Sequence, residues 1–270
     1  MEKLNLNNLE ETLFIPMRGR VFASKKFPHI LNDKKALEIA NKFPEYYMNI
    51  NKESEYTLMA SAIRSMNMDI YIQEFLKSNP EGTIICVGAG METTFFRNDN
   101  KKAIWYEIDL EEVANIRIKI LGENNRDIVL PYSMFDYNWM SEVSQNSKPP
   151  YLIIAAGVFH YFDKKLIIEF LRKMKEFGTN VEVVFDTVSK LGMKGTKRYM
   201  KQLGKDDALM YFYVNDAKNL TNEIGEDTQL LDERNYFSFV NNRKGFKLMT
   251  KISMSVSDLL HMLKMIHIKL

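Results

Sequence analysis

Cysteine is nearly absent from this chain. One thiol, Cys86, stands among 270 residues. An internal disulfide and a cysteine-based zinc site are therefore excluded, and nothing favours an oxidising compartment. Glycine and proline are sparse as well, at 12 and 7, too few for a collagen-like or low-complexity polymer. Charge of one sign is also lacking: 37 basic against 35 acidic residues leave a net +2. Composition thus announces none of the basic excess that marks a nucleic-acid binder. No hydrophobic run is long. The longest nearly uncharged one, Tyr151 to Phe162, falls well short of the roughly 20 residues of a membrane-spanning helix. The opening MEKLNLNNLEETLF carries acids and amides where a signal peptide needs a continuous apolar stretch. These absences predict a cytoplasmic protein without nucleic-acid or membrane partners, acting as a monomer or homodimer.

What the chain does have is core-forming material. Apolar residues make up 46% and aromatics 12%, too apolar for disorder and enough to bury a sizeable core. No repeat or Pro/Gly/Ser-rich linker divides it, so residues 1–270 read as one domain in three stretches, 1–79, 80–190 and 191–270. The first reads as helical. Asn32-Asp33 is placed to cap a helix through Ala36, Leu37, Ile39 and Ala40 that Pro44 ends. Apolar residues from Leu58 to Phe75 then recur at helical spacing.

From residue 83 the pattern changes. Short β-branched runs fall at 83–87, 103–108, 128–130, 151–156 and 181–186, with helical stretches at 111–121 and 164–177 between them. Continuous apolar strands alternating with amphipathic helices are what a parallel sheet covered on both faces requires. The expected fold is α/β: a doubly wound, mostly parallel, Rossmann-like sheet with an N-terminal helical lid. In the last stretch, strands are expected around Tyr211–Val214 and Met265–Leu270.

In such a sheet, ligands bind at the carboxyl ends of the strands. The first strand ends in Gly88-Ala89-Gly90, which lets backbone approach a ligand closely. The second ends in Asp109, a carboxylate suited to a ribose diol. Two cofactor classes use this arrangement. The dinucleotide fingerprint needs a third glycine where this chain has Thr93, and Glu92 stands where a diphosphate would lie. A ligand bearing an ammonium and a sulfonium suits that charge better, so S-adenosylmethionine is favoured over NAD. A plain strand-to-helix turn, with Asp109 capping the next helix, also fits these residues taken alone.

The segment VGAGMETTFFR (87–97) followed by WYEIDLEEV (105–113) closely resembles the leucine carboxyl methyltransferase family. That family includes enzymes like the tetracenomycin polyketide O-methyltransferases. Upstream, ETLFIPMRGRVFASK (11–25), LNDKKALEI (31–39) and AIRSMNMD (62–69) extend the likeness. Downstream, SMFDYNWM (133–140) and IAAGVFHYF (154–162) carry it to about residue 190. The chain departs from the family at Ala156, where an acid is common, and at Thr94, where an arginine is.

The resemblance implies a class I S-adenosylmethionine-dependent methyltransferase acting on a hydroxyl or carboxylate of a small, polyketide-like metabolite; a protein C-terminal carboxylate is the other acceptor it allows. It makes residues 1–79 a lid, 80–190 the nucleoside-binding core and 191–270 the acceptor side. It implies that Arg64, with Lys25, holds the cofactor's carboxylate, that Gly88, Ala89 and Gly90 carry its methionine part, and that Asp109, beside Leu110, takes the ribose. Met134, Phe135 and Asp136 would flank the adenine, and Ala156 and Gly157 would close the far wall. His160 is the one histidine near this edge and the candidate general base, with a packed rim histidine as the plainer reading. His29, His261 and His267 are expected to be structural or surface residues. No metal site is expected. The lid is expected to supply Lys25 and Arg20 to the pocket.

Overall fold

The computed structural model describes residues 14–43, 48–50, 53–202 and 210–270. The first part is helical: α1 (Phe14–Lys26), α2 (Lys34–Ala40) and α3 (Glu55–Ser78). Asp33 does cap α2, its Oδ1 accepting the Ala36 N–H at 2.8 Å. Pro44, expected to end that helix, lies outside the described residues. Ser54 caps α3 by accepting the Thr57 N–H at 3.1 Å. An orphan amide at each helix start is thereby satisfied.

The sheet region then runs β1 (Thr83–Val87), α4 (Thr94–Asn98), β2 (Ile104–Asp109), α5 (Glu111–Leu121), β3 (Asp127–Pro131), α6 (Asn138–Asn146) and β4 (Tyr151–Ala155). It continues through a short 3-10 turn (Phe159–Tyr161), α7 (Lys164–Phe177), β5 (Val181–Val188), α8 (Lys190–Gln202), α9 (Ala217–Ile224), β6 (Gln229–Asn235), α10 (Leu248–Leu259) and β7 (Leu263–Lys269). The seven strands are ordered β3-β2-β1-β4-β5-β7-β6. The first five are mutually parallel; β7 runs antiparallel to both β5 and β6.

The pleat sorts the core onto two faces. Ile84 and Cys86 of β1 pack with Leu152, Ile154 and Val184 under α3, whereas Ile85 and Val87 pack with Ile153, Val183 and Phe185 on the opposite face. There α7 contributes Ile167, Phe170, Leu171 and Met174, one buried stripe at helical spacing. Strand order reverses between β1 and β4, and the crevice opens there.

The expected strand at Tyr211–Val214 is absent. Tyr211 donates to the His160 carbonyl and Val214 to the Val188 carbonyl, two bonds to different elements in place of a ladder. Burial of Phe212 against Phe159 and Phe185 accounts for the apolar alternation there. The edge strand β6, QLLDERN, was not expected, because one-sided exposure leaves it no continuous apolar run.

Candidate functional site

The loops leaving β1 and β4 meet where the sheet order reverses. Gly88 has φ +62°, and a Cβ there would come within 2.5 Å of Val158 Cγ2. Gly157 has φ +73°, and a Cβ there would fall 2.2 Å from Arg64 Nη1. Both positions combine the left-handed region with no room for a side chain. The result is a bare backbone floor on which Arg64, reaching down from α3, lies directly over Gly157.

Asp109 closes one side of this floor. Its Oδ2 accepts the Gly90 N–H at 2.7 Å and its Oδ1 accepts the Leu110 N–H at 2.8 Å. It does not cap α5, since the N-cap position is Leu110 and no side chain bonds there. Burial raises its proton affinity against the opposing pull of those two N–H groups and of Arg117. A carboxylate has about four lone-pair positions, so two remain for a ligand's hydroxyls.

Behind the floor, Arg117 donates to the carbonyls of Gly90 and Glu92 at 3.0 and 2.7 Å and stands 3.0 Å from Glu107 Oε1. Arg117 and Glu107 are each only 1% exposed. The pair fastens α5 and β2 to the underside of the glycine turn.

Glu92 proves to be paired. Arg20 of α1 donates to its Oε2 at 2.7 Å and Arg97 to its Oε1 at 3.1 Å. Burial opposes its ionisation, yet the two guanidiniums and the Thr93 N–H hold its carboxyl down at about 2. Arg97 also binds Asp33 and Asp69 at 2.7 Å. The repulsion expected of Glu92 toward a diphosphate is therefore largely compensated, and its charge instead anchors the N-terminal helices.

Across the crevice, Asp186 at the end of β5 accepts the Gly157 N–H at 2.6 Å. Its Oδ2 lies 3.7 Å from Arg64 Nη1 and 3.3 Å from His160 Nε2. Burial opposes its ionisation too, but Arg64, His160 and the Gly157 N–H keep its carboxyl at about 2. Although Ala156 departs from the family's acid, an acid does stand on this turn, supplied by the neighbouring strand. Among the described residues, Arg64 Nε and His160 Nδ1 are buried without a hydrogen-bond partner.

These groups line one cavity of about 800 Å³. Of the residues singled out by sequence, it brings together Arg64, Gly88, Ala89, Gly90, Asp109, Leu110, Met134, Ala156, Gly157 and His160. Arg20 lines it as well. Three do not take part. Lys25 is solvent-exposed, because the face of α1 that turns inward carries Arg18, Arg20 and Val21. Phe135 packs edge-on against Phe162 and Phe170 in the core. Asp136 is exposed, its Oδ1 accepting the Asn138 N–H at 3.2 Å. After β3 it is Tyr132, Ser133 and Met134 that face the cavity. His160 is buried rather than at a rim. His29 and His261 are exposed, and His267 stands 2.8 Å from Glu182 Oε2.

Sequence reasoning missed Asp186, although the rule that picked Asp109, an acid at a strand's carboxyl end, applies to it equally. It also missed Tyr56, Met210, Tyr236, Met262 and Leu263, which no local motif marks. Among the described residues no cluster of metal-ligating side chains occurs, and no helix is long and apolar enough to cross a membrane.

Residues 15–174 match the family described as leucine carboxyl methyltransferase. A comparison with curated proteins finds no match. Among solved structures, the chain is similar to a DUF574 family protein from Streptomyces avermitilis MA-4680, at 10% identity, covering 93% of this chain and 96% of that one with a TM-score of 0.62. It is similar to the plantazolicin methyltransferase BpumL in complex with SAH (S-adenosylhomocysteine), at 13% identity, 96% of both chains and a TM-score of 0.52. Magnesium protoporphyrin IX methyltransferase from Synechocystis PCC 6803 with bound SAH gives 8% identity, 93% of this chain, 99% of that one and a TM-score of 0.51. At these identities the likeness shows the fold, a mixed seven-stranded α/β sheet of the class I methyltransferase type. The nicotinamide reading left open by the glycine turn alone gives way to the family match, which spans more than half of the sequence. The chain belongs to the leucine carboxyl methyltransferase family and is an S-adenosylmethionine-dependent methyltransferase.

Proposed function

We propose that this protein transfers a methyl group to a hydroxyl or carboxylate oxygen of a small, largely apolar metabolite. The observation that carries the reading is the continuity of the cavity. One end is the glycine floor between Asp109 and Arg64; the other is walled by Tyr56, Tyr161, Phe162, Met210, Tyr236 and Met262. A volume of about 800 Å³ lies high in the roughly 300–1,000 Å³ range of ligand pockets. That leaves space for an acceptor beside the cofactor.

The residues present fit an S-adenosyl nucleoside. Asp109 would take the ribose hydroxyls with its two remaining lone-pair positions. Arg64 would take the amino-acid carboxylate, since its fork suits that group and its Nε has no other partner. Met134 and Leu110 offer apolar cover for the base.

When bound, the cofactor supplies a methyl already activated by a sulfonium. The protein's part is alignment and exclusion of water, worth several kcal/mol when the geometry is near in-line. A carboxylate acceptor is already ionised and needs no base. A hydroxyl acceptor gains from His160: Asp186 holds the imidazole at Nε2, and Nδ1 is left to take the proton. Asp186, ionised at neutral pH, stabilises the imidazolium so formed.

An acceptor screen with isotopically labelled S-adenosylmethionine tests this. Label is expected in small hydroxylated or carboxylated aromatics. Label confined to peptide C-terminal carboxylates, or to nitrogen nucleophiles, would overturn it. His160→Gln refines the result: transfer to a hydroxyl should fall about 100- to 10,000-fold, whereas transfer to a carboxylate should persist.

A further inference from the structure

Helix α10 is amphipathic in the wrong sense for a surface helix. It turns Thr250, Met254 and Ser257 inward and packs on α3. Its outer face carries Leu248, Met249 and Leu259, which are 71%, 69% and 77% exposed, with Ile252, Val256 and Leu260 nearly half exposed. A solvated helix places charged residues on that face.

The spacing of this face is informative. Met249, Ile252, Val256 and Leu259 recur at intervals of three, four and three. That is the a/d seam of paired helices rather than the broader stripe that meets a sheet or a lipid surface. The flanking positions are Leu248, Ser253, Ser255 and Leu260, none of them charged. An identical copy would meet no like charge along such a seam. A charged partner would find nothing to pair with. A lipid-surface helix would carry lysine or arginine along both flanks, and this one does not. The exposed apolar area, roughly 600 Å² per protomer, exceeds what most monomers leave in one patch. It also supplies most of the roughly 800 Å² per partner of a standard interface.

We infer that α10 is the seam of a two-fold homodimer, packed antiparallel on α10 of a second copy. A two-fold axis near Met254 sets Ile252 against the partner's Val256 and Met249 against the partner's Leu259. The contact is self-complementary, as an isologous interface requires. It also has a place in the enzyme's architecture. The Met262 N–H donates to the Ser257 carbonyl at 2.8 Å, so the end of α10 fixes Met262 and Leu263, both of which line the cavity. The inference does not depend on which acceptor the enzyme uses.

Sedimentation of the full chain tests it. Wild type is expected at twice the 31.6 kDa chain mass. Ile252→Glu and Val256→Lys should each sediment as monomers, with dimer affinity weakened at least about 100-fold by burial of an unpaired charge. Both should stay folded, as judged by circular dichroism and retained binding of S-adenosylhomocysteine, because neither side chain is in the core. Mixing the two variants should restore dimer. The antiparallel seam sets the introduced carboxylate of one copy against the introduced ammonium of the other only if these two positions oppose each other. A monomeric wild type overturns the inference. So do dimers that persist in both variants, a mixture that stays monomeric, or wild type that cosediments with anionic vesicles while remaining monomeric without them.

Discussion

At the residue scale, two backbone positions and two carboxylates make the sharpest predictions. Gly157→Ala forces a left-handed φ on a residue with a Cβ and drives that Cβ into Arg64 Nη1. Cofactor affinity is expected to fall by at least about tenfold, because the arginine must move from the place where it meets a carboxylate. Calorimetry with S-adenosylhomocysteine reads this, and unchanged affinity would mean that Arg64 is not the carboxylate's partner. Glu92 makes a prediction about pH. Its folded value of about 2 lies below the ordinary 4.5, so it contributes stability that is complete above pH 4.5 and is lost as pH falls toward 2. The shift corresponds to about 3 kcal/mol. Glu92→Gln is therefore expected to cost about that much at pH 7, and the gap to wild type should narrow by roughly half at pH 3. Urea titrations at the two pH values measure it, and a pH-independent gap would contradict the pairing with Arg20 and Arg97.

At the element scale, α1 and α5 do more than cover the sheet. Helix α1 brings Ile15, Pro16 and Arg20 to the cavity wall, but it also buries Phe14, Met17, Val21, Phe22 and Ala23. It is as much core as lid. Removing it exposes five buried apolar side chains and strips Glu92 of a partner, so a chain lacking residues 14–26 is expected not to fold cooperatively; a sharp thermal transition would contradict this. The hold of α5 on the glycine turn is separable. Arg117→Met leaves Glu107 buried without its partner and should cost about 3–5 kcal/mol. Adding Glu107→Met should recover much of that loss, as apolar replacement of a buried pair often does. Cofactor affinity should stay low in both variants, because the carbonyls of Gly90 and Glu92 have lost their donor. Recovery of affinity along with stability would show Arg117 to be structural only.

Legibility from sequence follows the same division. Elements with their own local signal were readable: β1, β2, β4 and β5 as buried β-branched runs, α2 from its Asp33 cap, α7 from its apolar stripe. Gly88, Gly90 and Asp109 were readable because they sit at fixed offsets from strand ends. Lys25 misled because a cation in the right segment does not reveal which side of a helix faces the cavity. Phe135 and Asp136 misled in the same way, one step past the turn that Met134 closes. Tyr56, Met210 and Tyr236 reach the acceptor end from three distant parts of the chain, and only the tertiary fold brings them together. Residues 211–214 misled because burial of Phe212 imitates strand alternation.

At the scale of the whole molecule, the order β3-β2-β1-β4-β5-β7-β6 puts the chemistry in one crevice. It aligns the carboxyl ends of five parallel strands, so Asp109 from β2 and Asp186 from β5 face each other across the floor made by β1 and β4. Neither acid could be placed relative to the other without that order. The central claim is that a sulfonium nucleoside lies on this floor, its sugar on Asp109 and its carboxylate on Arg64. Isothermal calorimetry with S-adenosylhomocysteine on wild type, Asp109→Ala and Arg64→Met tests it most directly. The account predicts one site per chain, weakened at least about tenfold by each substitution, as loss of a charge-assisted hydrogen bond worth about 1.5–3 kcal/mol requires. Binding that is equally tight in all three proteins would contradict it.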